Sequence, residues 1–261
     1  MSAGGIVFDF GDGGSAEYLR ILNLTGTDRF DLANEDLTIW GWMSADGALS
    51  AQSDPSERGF WLFALEDQVS FLGASLYLEG TAAFPGTALR ARGQIESMIG
   101  VHNNFTASAN VIDQDEDWFY ALVWDHTAGS WTRYIGIDEA ALASTSISGL
   151  NYTALTPIKD IAIGADFANA YGINATVRSV GISKVAADAS ALAAQKVSDT
   201  PVGVLLANIW GYYPMTDHTD LANSSAGVGP SWSAVGTLGD GAMDPVDLQA
   251  AAGVHRVFII S

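Results

Sequence analysis

The stretch WFYALVWDHTAGSWTRYIGID, residues 118–138, decides the fold. Two apolar series interleave in its first seven residues: Trp118, Tyr120, Leu122 and Trp124 at one parity, Phe119, Ala121 and Val123 at the other. Side chains alternate across a strand with a period of two, so a segment that is apolar at both parities belongs between two layers. Asp125, His126, Thr127, Ala128, Gly129 and Ser130 are turn formers, Gly129 being free to take a positive φ, and residues 131–137 resume a β-forming run. The stretch therefore predicts a hairpin whose first strand is central. Asp125 and His126 fall at its tip, where no neighbour suggests a nucleophilic partner, and His126 reads as a solvated loop residue.

Outward from the hairpin, strand-forming runs punctuated by glycine and aspartate fill most of the chain. Residues 6–10 precede GDGG, 19–24 precede TGTD and 37–43 precede SADG; further runs cover 60–65, 69–78, 94–102, 158–164 and 176–185. Their number and spacing predict an all-β chain of two stacked sheets. The segment AADASALAAQK, residues 186–196, breaks the pattern: it is rich in alanine, offers Asp188 or Ser190 as an N-cap, and places Ala189, Leu192 and Ala193 on one small apolar face. A short surface helix is expected there. No change of composition divides the chain before GDGAMDP, residues 239–245, so one domain is expected over 1–244 and a C-terminal extension over 245–261. The tetrapeptide DLAN occurs at 31–34 and at 220–223 without flanking similarity, and is no repeat unit.

Composition narrows the function classes. With 261 residues, 48% of them hydrophobic, and 8 Trp, 8 Tyr and 11 Phe, the chain has ample material for one core. The most lipid-like run, 205–213, is interrupted by Asn208, ended by Pro214, and far short of the ~20 apolar residues that a membrane-spanning helix needs. MSAGGIVFDFGDGG at the N-terminus has no basic region and no long apolar run, so a soluble chain without an export leader or membrane insertion is expected. The absence of cysteine removes disulfides, thiolate catalysis and sulfur-ligated zinc. Thirty acidic against eleven basic residues give a formal charge of -19, which repels phosphates and argues against nucleic acid as a partner. Only Lys159, Lys184 and Lys196 are lysines, and such a surface suits concentrated salt. The N-x-S/T triplets at Asn23, Asn104, Asn151, Asn174 and Asn223 carry little weight in a chain rich in Ser and Thr.

Four pieces in this order resemble the concanavalin A-like lectin/glucanase superfamily, in its laminin-G-like and pentraxin-like branch. They are FDF (8–10) with DLTIWGWM (36–43); the hairpin, with Trp131 and Tyr134 spaced on its return strand; IAIGADF (161–167) with VRSVGISKVAADASALAA (177–194); and LLANIWGYYPMTD (205–217). Together they span roughly residues 6–244. The resemblance implies a two-sheet antiparallel β-sandwich of jelly-roll type with one short surface helix, with Trp40 and Trp42 entering the core and 205–217 supplying a late strand. Asp138 and Glu139 stand where the family's return strand usually ends in an Asp-Gly turn, so loop-borne ligand sites are not carried over by position.

Glucanases of that superfamily place alternating carboxylates of Glu-x-Asp-x-Glu type on one strand face, and no such strand occurs here. His102, His126, His218 and His255 are accompanied by no nucleophile-elbow pattern. A non-catalytic chain is expected. In DQDEDWF, Asp113, Asp115 and Asp117 alternate, but Trp118 occupies the place of the EF-hand glycine and no glutamate ends the twelve-residue frame. Two readings stay open: a looser calcium site on these three aspartates, or a solvated loop that guards a strand edge. No cofactor is otherwise required. Trp61, Trp131 and Trp232 lie nearest to turns and are the candidates for stacking on a sugar ring, their other reading being anchors under the sandwich rim. The expected function is a structural or binding module on a bacteriophage virion surface, as capsid decoration or tail-associated attachment protein. Its expected partners are copies of itself, other virion proteins, or a surface glycan. The alternatives are a carbohydrate-binding lectin of cellular origin, extracellular or cytoplasmic, and third a glycan hydrolase with an unfamiliar acid pair.

The chain ends in Val257, Phe258, Ile259, Ile260 and Ser261, a β-forming run where polar, frayed residues are usual. Left in water it would be a sticky edge-pairing segment, so it is expected to dock by β-augmentation on a neighbouring subunit or virion protein. Extended, these five residues reach roughly 17 Å. Deleting residues 254–261 should leave the melting temperature nearly unchanged while weakening oligomerisation or particle attachment. Loss of several degrees in a monomeric truncated protein would instead assign the run to its own core.

Overall fold

The computed structural model describes residues 4–8, 18–45, 60–66, 73–80, 88–98, 101–106, 112–113, 117–137, 140–152, 157–158, 160–164, 175–225, 227 and 229–242. Its strands begin with β1 (Gly4–Phe8), β2 (Tyr18–Ile21), β3 (Leu37–Ala45), β4 (Phe60–Glu66), β5 (Gly73–Gly80) and β6 (Ala88–Met98). Next come β7 (Val101–Asn104), β8 (Ile112–Asp113), β9 (Asp117–Asp125), β10 (Ser130–Ile137), β11 (Ala143–Ile147), β12 (Asp160–Ile163) and β13 (Ala175–Ser183). Two helices, α1 (Ala189–Lys196) and α2 (Gly203–Ala207), precede β14 (Ile209–Tyr213), β15 (Ser233–Val235) and β16 (Gly239–Ala242). All pairings are antiparallel. The first sheet runs β11-β10-β9-β3-β13-β1-β16 with β14 also on β13; the second runs β15-β2-β12-β4-β5-β6-β7 with β8 also on β6.

The hairpin forms as its sequence predicts, with Trp124 opposite Trp131 and Trp118 opposite Ile137. β9 lies between β10 and β3, and every residue from Trp118 to Trp124 is buried. Its two parities serve different layers. Trp118, Tyr120, Leu122 and Trp124 join Ile39 and Met43 of β3 and meet Leu19, Ile21, Ile95, Ile161 and Ile163 of the second sheet, which makes the core between the sheets. Phe119, Ala121 and Val123 join Trp40 and Trp42 on the opposite face, under Ala187, Leu192 and Leu205 of the helical segment. Trp40 and Trp42 were expected in the inter-sheet core; the pleat sends them to the helix side instead, because Leu37, Ile39 and Met43 hold the inner parity of β3. The Trp42 and Phe119 rings meet edge-on, with centroids 5.6 Å apart, while Trp124 packs edge-on against Tyr152 at 4.8 Å.

The helix starts where one of its two predicted caps allows. Asp188 accepts a hydrogen bond from the Ala191 N–H at 2.8 Å, a capping contact of about 1 kcal/mol. Of the expected apolar face only Leu192 is buried; Gln195 and Lys196 are buried with it, while Ala189 and Ala193 face water. Gln195 bonds the carbonyls of Ser198 and Thr200 and accepts from the Val202 N–H, and Lys196 reaches the Ala140 carbonyl, so these polar ends tie the turns beside the helix. No helix among the described residues is long and apolar enough to cross a membrane.

Three segments differ from expectation. Residues 94–102 are not one strand: β6 ends at Met98 and β7 begins at Val101, and the two pair antiparallel. The start of 205–217 is helical, since Leu205 is drawn over the sheet, where its carbonyl accepts the buried Ser183 hydroxyl at 2.8 Å, and the strand begins only at Ile209. The glycines and aspartate of 239–242, read as punctuation, form β16, the strand beyond β1 at the rim of the first sheet. Glycine does structural work inside the sheet as well: a β-carbon on Gly181 would overlap the Trp40 ring. Replacement of Gly181 by Ala should therefore cost about 1–3 kcal/mol in urea unfolding through overpacking, whereas Ser144→Ala on the exposed side of β11 should stay within about 0.5 kcal/mol.

Candidate functional site

A discontinuity in the first sheet creates a cleft. β13 pairs along one edge with β3, and along the other with β1 at Ala175, Thr176 and Val177 and with β14 from Val180 onward. At that junction the register against β3 shifts: Arg178 faces Trp42 and Gly181 faces Trp40, so Ser179 and Val180 together stand opposite Gly41. This is a β-bulge, and Ser179 takes φ +54 to form it. The bulge resets the alternation, since Val177 and Val180 both point into the inter-sheet core. Ser179 gives its N–H not to the ladder but to the Pro214 carbonyl, at 2.9 Å. A left-handed serine costs of order 1–3 kcal/mol, and such strain gathers at binding sites. Met215, beside Pro214, also has a positive φ of 53.

Over this junction lies a cleft of about 590 Å³. Arg178 and Ser179 contribute from the bulge, Asp199, Thr200 and Pro201 from the connection between the helices, Leu206 from α2, Tyr212 from β14, and Pro214, Thr216, Ser224 and Ser225 from the segment that follows. The Arg178 guanidinium is buried and pairs with Asp199 at 3.0 Å, while the Asp199 side chain stays 60% exposed. The Tyr212 hydroxyl donates to the Asp199 carbonyl and lies 3.5 Å from Ser179 Oγ. Burial raises the Tyr212 pKa above the ordinary phenol value; the Ser179 hydrogen bond opposes this and the Asp199 charge adds to it, so the hydroxyl is neutral at physiological pH. Leu206, 53% exposed, leaves an apolar rim beside these polar groups.

The residues singled out in the sequence fall elsewhere. Trp131 is fully buried, donating through its indole N–H to the Tyr152 hydroxyl at 3.1 Å, and Trp232 is 4% exposed with its ring edge-on to Tyr213. Both rings are spent in the interior, which corrects the expectation that they face a sugar: the hairpin pairing and the Tyr213 contact hold them inside. Trp61 lies in β4 opposite Tyr77. Asp113 pairs with Ala88 in the second sheet, whereas Asp117 pairs with Ser44 in the first, so the alternating aspartates do not share one strand. Asp115 lies outside the described residues, as do Val257, Phe258, Ile259 and Ile260. Among the described residues, no three His, Asp or Glu side chains are grouped to hold a metal ion.

His126 has a mechanical role. Its N–H and its Nδ1 both contact Asp36 Oδ1, at 3.0 and 2.6 Å, while Thr127 Oγ1 stands 3.4 Å from Nε2, beyond the reach of proton transfer. The turn is tied to the chain entering β3. His218 repeats the device in the second Asp-His-Thr tripeptide: its N–H and Nδ1 contact Asp240 Oδ1 at 2.6 and 2.8 Å and tie residues 216–220 to β16. Sequence reading missed the cleft, whose residues lie between positions 178 and 225 and carry no motif.

No protein-family model matches the sequence, and no curated protein does. Solved structures do match. A heptameric pentraxin from Limulus polyphemus aligns with 94% of this chain and 97% of its own at 10% identity, with TM-score 0.61. Tailspike protein 2 of an Escherichia coli O157:H7 bacteriophage aligns with 81% of this chain at 11% identity and TM-score 0.56. This chain spans about a quarter of that tailspike's length, covering 26% of it. A Bacteroides ovatus protein named for carbohydrate binding aligns over 93% of this chain and 60% of its own, at 14% identity and TM-score 0.52. At such identities the likeness is one of fold, and the fold is that of the concanavalin A-like lectins and glucanases, in a pentraxin-like jelly roll.

The His218 tether gives a pH dependence. The Asp240 carboxyl is held below the ordinary carboxylate range, first by the His218 N–H and then by the imidazole; Asp217 is lowered by the Thr219 hydroxyl and N–H. A depressed carboxylate contributes stability that is present above its unfolded pKa and lost as pH falls through the folded value. Asp240→Ala should lower the melting temperature at pH 7, and the gap to the parent protein should close below about pH 4. A gap that persists to lower pH would mean that the carboxylate charge does not hold the tether.

Proposed function

We propose, from the premise of this fold, that the chain is a non-catalytic binding module displayed on a virion surface, with carbohydrate as its ligand. The observation that carries the binding part is the cleft over the Ser179 bulge, a small-ligand-sized cavity with convergent hydroxyls, one ion pair and an apolar rim. Its residues suit binding rather than hydrolysis. Asp199 is its one carboxylate, Arg178 is paired to it, and the tyrosine is neutral, so the two carboxylic groups that flank a scissile glycosidic bond in most hydrolases have no counterpart among the lining residues. The likeness in fold to a tailspike and a formal charge of -19, which keeps copies soluble at high density, favour a virion surface.

The second reading is a cellular lectin of the same fold, favoured by the match to the Bacteroides protein named for carbohydrate binding. Antibody raised against the chain should label purified virions from the source culture. Label confined to cells or medium would move the reading to the lectin. On a glycan microarray the chain should bind, and incubation with the bound polysaccharides, β-glucans and alginates should release no reducing ends. Release that disappears on replacing one Glu or Asp would make it a hydrolase.

A further inference from the structure

The hydrogen-bond directions in the cleft specify its ligand beyond the class of carbohydrate. Six hydroxyl-bearing side chains line it, and four of them have their protons already committed to the protein. Tyr212 donates to the Asp199 carbonyl, Ser224 to the Tyr212 carbonyl at 3.2 Å, Ser225 to Asn223 Oδ1 at 2.8 Å, and Thr216 to Asp220 Oδ2 at 3.1 Å. Each of these acceptors is a carbonyl or carboxylate oxygen, so the hydroxyl must be the donor in every pair. While Ser179 and Thr200 each keep a hydroxyl proton to give, what the other four can offer a ligand is lone pairs. Asp199 adds more: its Oδ1 holds Arg178, and Oδ2 sits on a largely exposed side chain. The cleft wall is therefore richer in acceptors than in donors, and the one cation on it is charge-matched by its partner.

We infer that this cleft is the glycan site, and that it selects neutral, hydroxyl-rich pyranoses and rejects sugars bearing a carboxylate. The inference rests on the binding reading above. A neutral sugar brings a donor on every hydroxyl, which is what a wall of committed hydroxyls and a carboxylate oxygen can take. Asp199 accepts from a ligand hydroxyl in a charge-assisted bond, the strongest polar contact on offer. Leu206, Pro201 and Pro214 supply apolar surface for the C–H face of the ring. A uronic or sialic acid would set its carboxylate against acceptor oxygens and the Asp199 charge while Arg178 is already engaged, leaving the anion only the Ser179 and Thr200 hydroxyls as donors.

The test uses the full chain on a glycan microarray carrying neutral hexose oligosaccharides and matched oligosaccharides ending in a uronic or sialic acid, followed by calorimetry on the best neutral binder. Three variants accompany it. Asp199→Asn removes the charged acceptor and releases Arg178 while the backbone carbonyl that holds Tyr212 is kept; Leu206→Trp obstructs the rim from an exposed position; Thr132→Ala, on β10, is the control away from the cleft. The parent should prefer neutral glycans. Asp199→Asn should weaken neutral binding about ten-fold or more, equivalent to about 1.4 kcal/mol, and shift preference toward the acidic series. Leu206→Trp should abolish binding with an unchanged melting temperature, and Thr132→Ala should bind as the parent does. Glycan binding that ignores both cleft variants, or that favours the acidic series in the parent, overturns the cleft assignment and leaves the module a glycan binder. Absence of binding to every glycan overturns the binding reading and this inference together.

Discussion

The structure depends on one constraint: β9 is apolar on both faces, so both faces have to be covered. A strand in an ordinary two-layer sandwich has one dry and one wet face, and its sequence alternates accordingly. Here Trp118, Tyr120, Leu122 and Trp124 call for a second sheet, while Phe119, Ala121 and Val123 call for a third layer, which the two short helices and the turns around them supply. The layering accounts for features that are odd in isolation. Trp40 and Trp42 can face away from the sandwich because Leu192 and Leu205 roof them, and Gly181 leaves room for the Trp40 ring between roof and sheet. Lys196 and Gln195 are buried because the C-terminal end of α1 fastens the roof to the neighbouring turns.

Where the roof ends, the sheet changes partner, and that coincidence makes the site. β13 cannot pair with β1 and β14 along the same edge without a change of register, and the Ser179 bulge provides it. A bulge re-aims side chains, so Arg178 and Ser179 reach a space bounded by the helical connection on one side and by residues 214–225 on the other. The backbone strain at Ser179 is held by the hydrogen bond to Pro214 and by packing on both sides of the sheet. The cleft thus arises from a topological junction, not from any one loop.

Charge fits the same picture. Among the described residues several acidic side chains act as local fasteners: Asp36 and Asp240 receive the two Asp-His-Thr histidines, Glu35 pairs with Lys184 at 2.9 Å, and Asp188 caps α1. Exposed pairs of this kind contribute little each, but they set the geometry of turns that carry few apolar contacts. In the cleft, by contrast, the Arg178 charge is buried and needs Asp199 to be tolerable, so there the ion pair shapes the site more than it stabilises the fold.

The sequence by itself determined the all-β class, the central hairpin and a capped helix, with Asp188 or Ser190 as its cap, because each is written in short-range terms: a period of two, turn formers between runs, and a cap residue before an alanine-rich stretch; the lectin-like sandwich was implied by the resemblance of four segments in order. The separation of 94–102 into two strands and the helical start of 205–217 were not legible there. A short apolar run does not reveal whether it continues, turns, or coils until its long-range partner is known. The tertiary structure alone decided which tryptophans face which layer. Trp131 and Trp232 look like surface candidates from their position near turns and prove to be interior, while Trp40 and Trp42 change sides by the pleat. It also decided the cleft, since Arg178, Asp199, Tyr212 and Ser224 are ordinary residues wherever they stand in the chain. They become a site only because a bulge, a helical connection and a following loop converge, and convergence is a property of contacts between distant segments that no local pattern encodes.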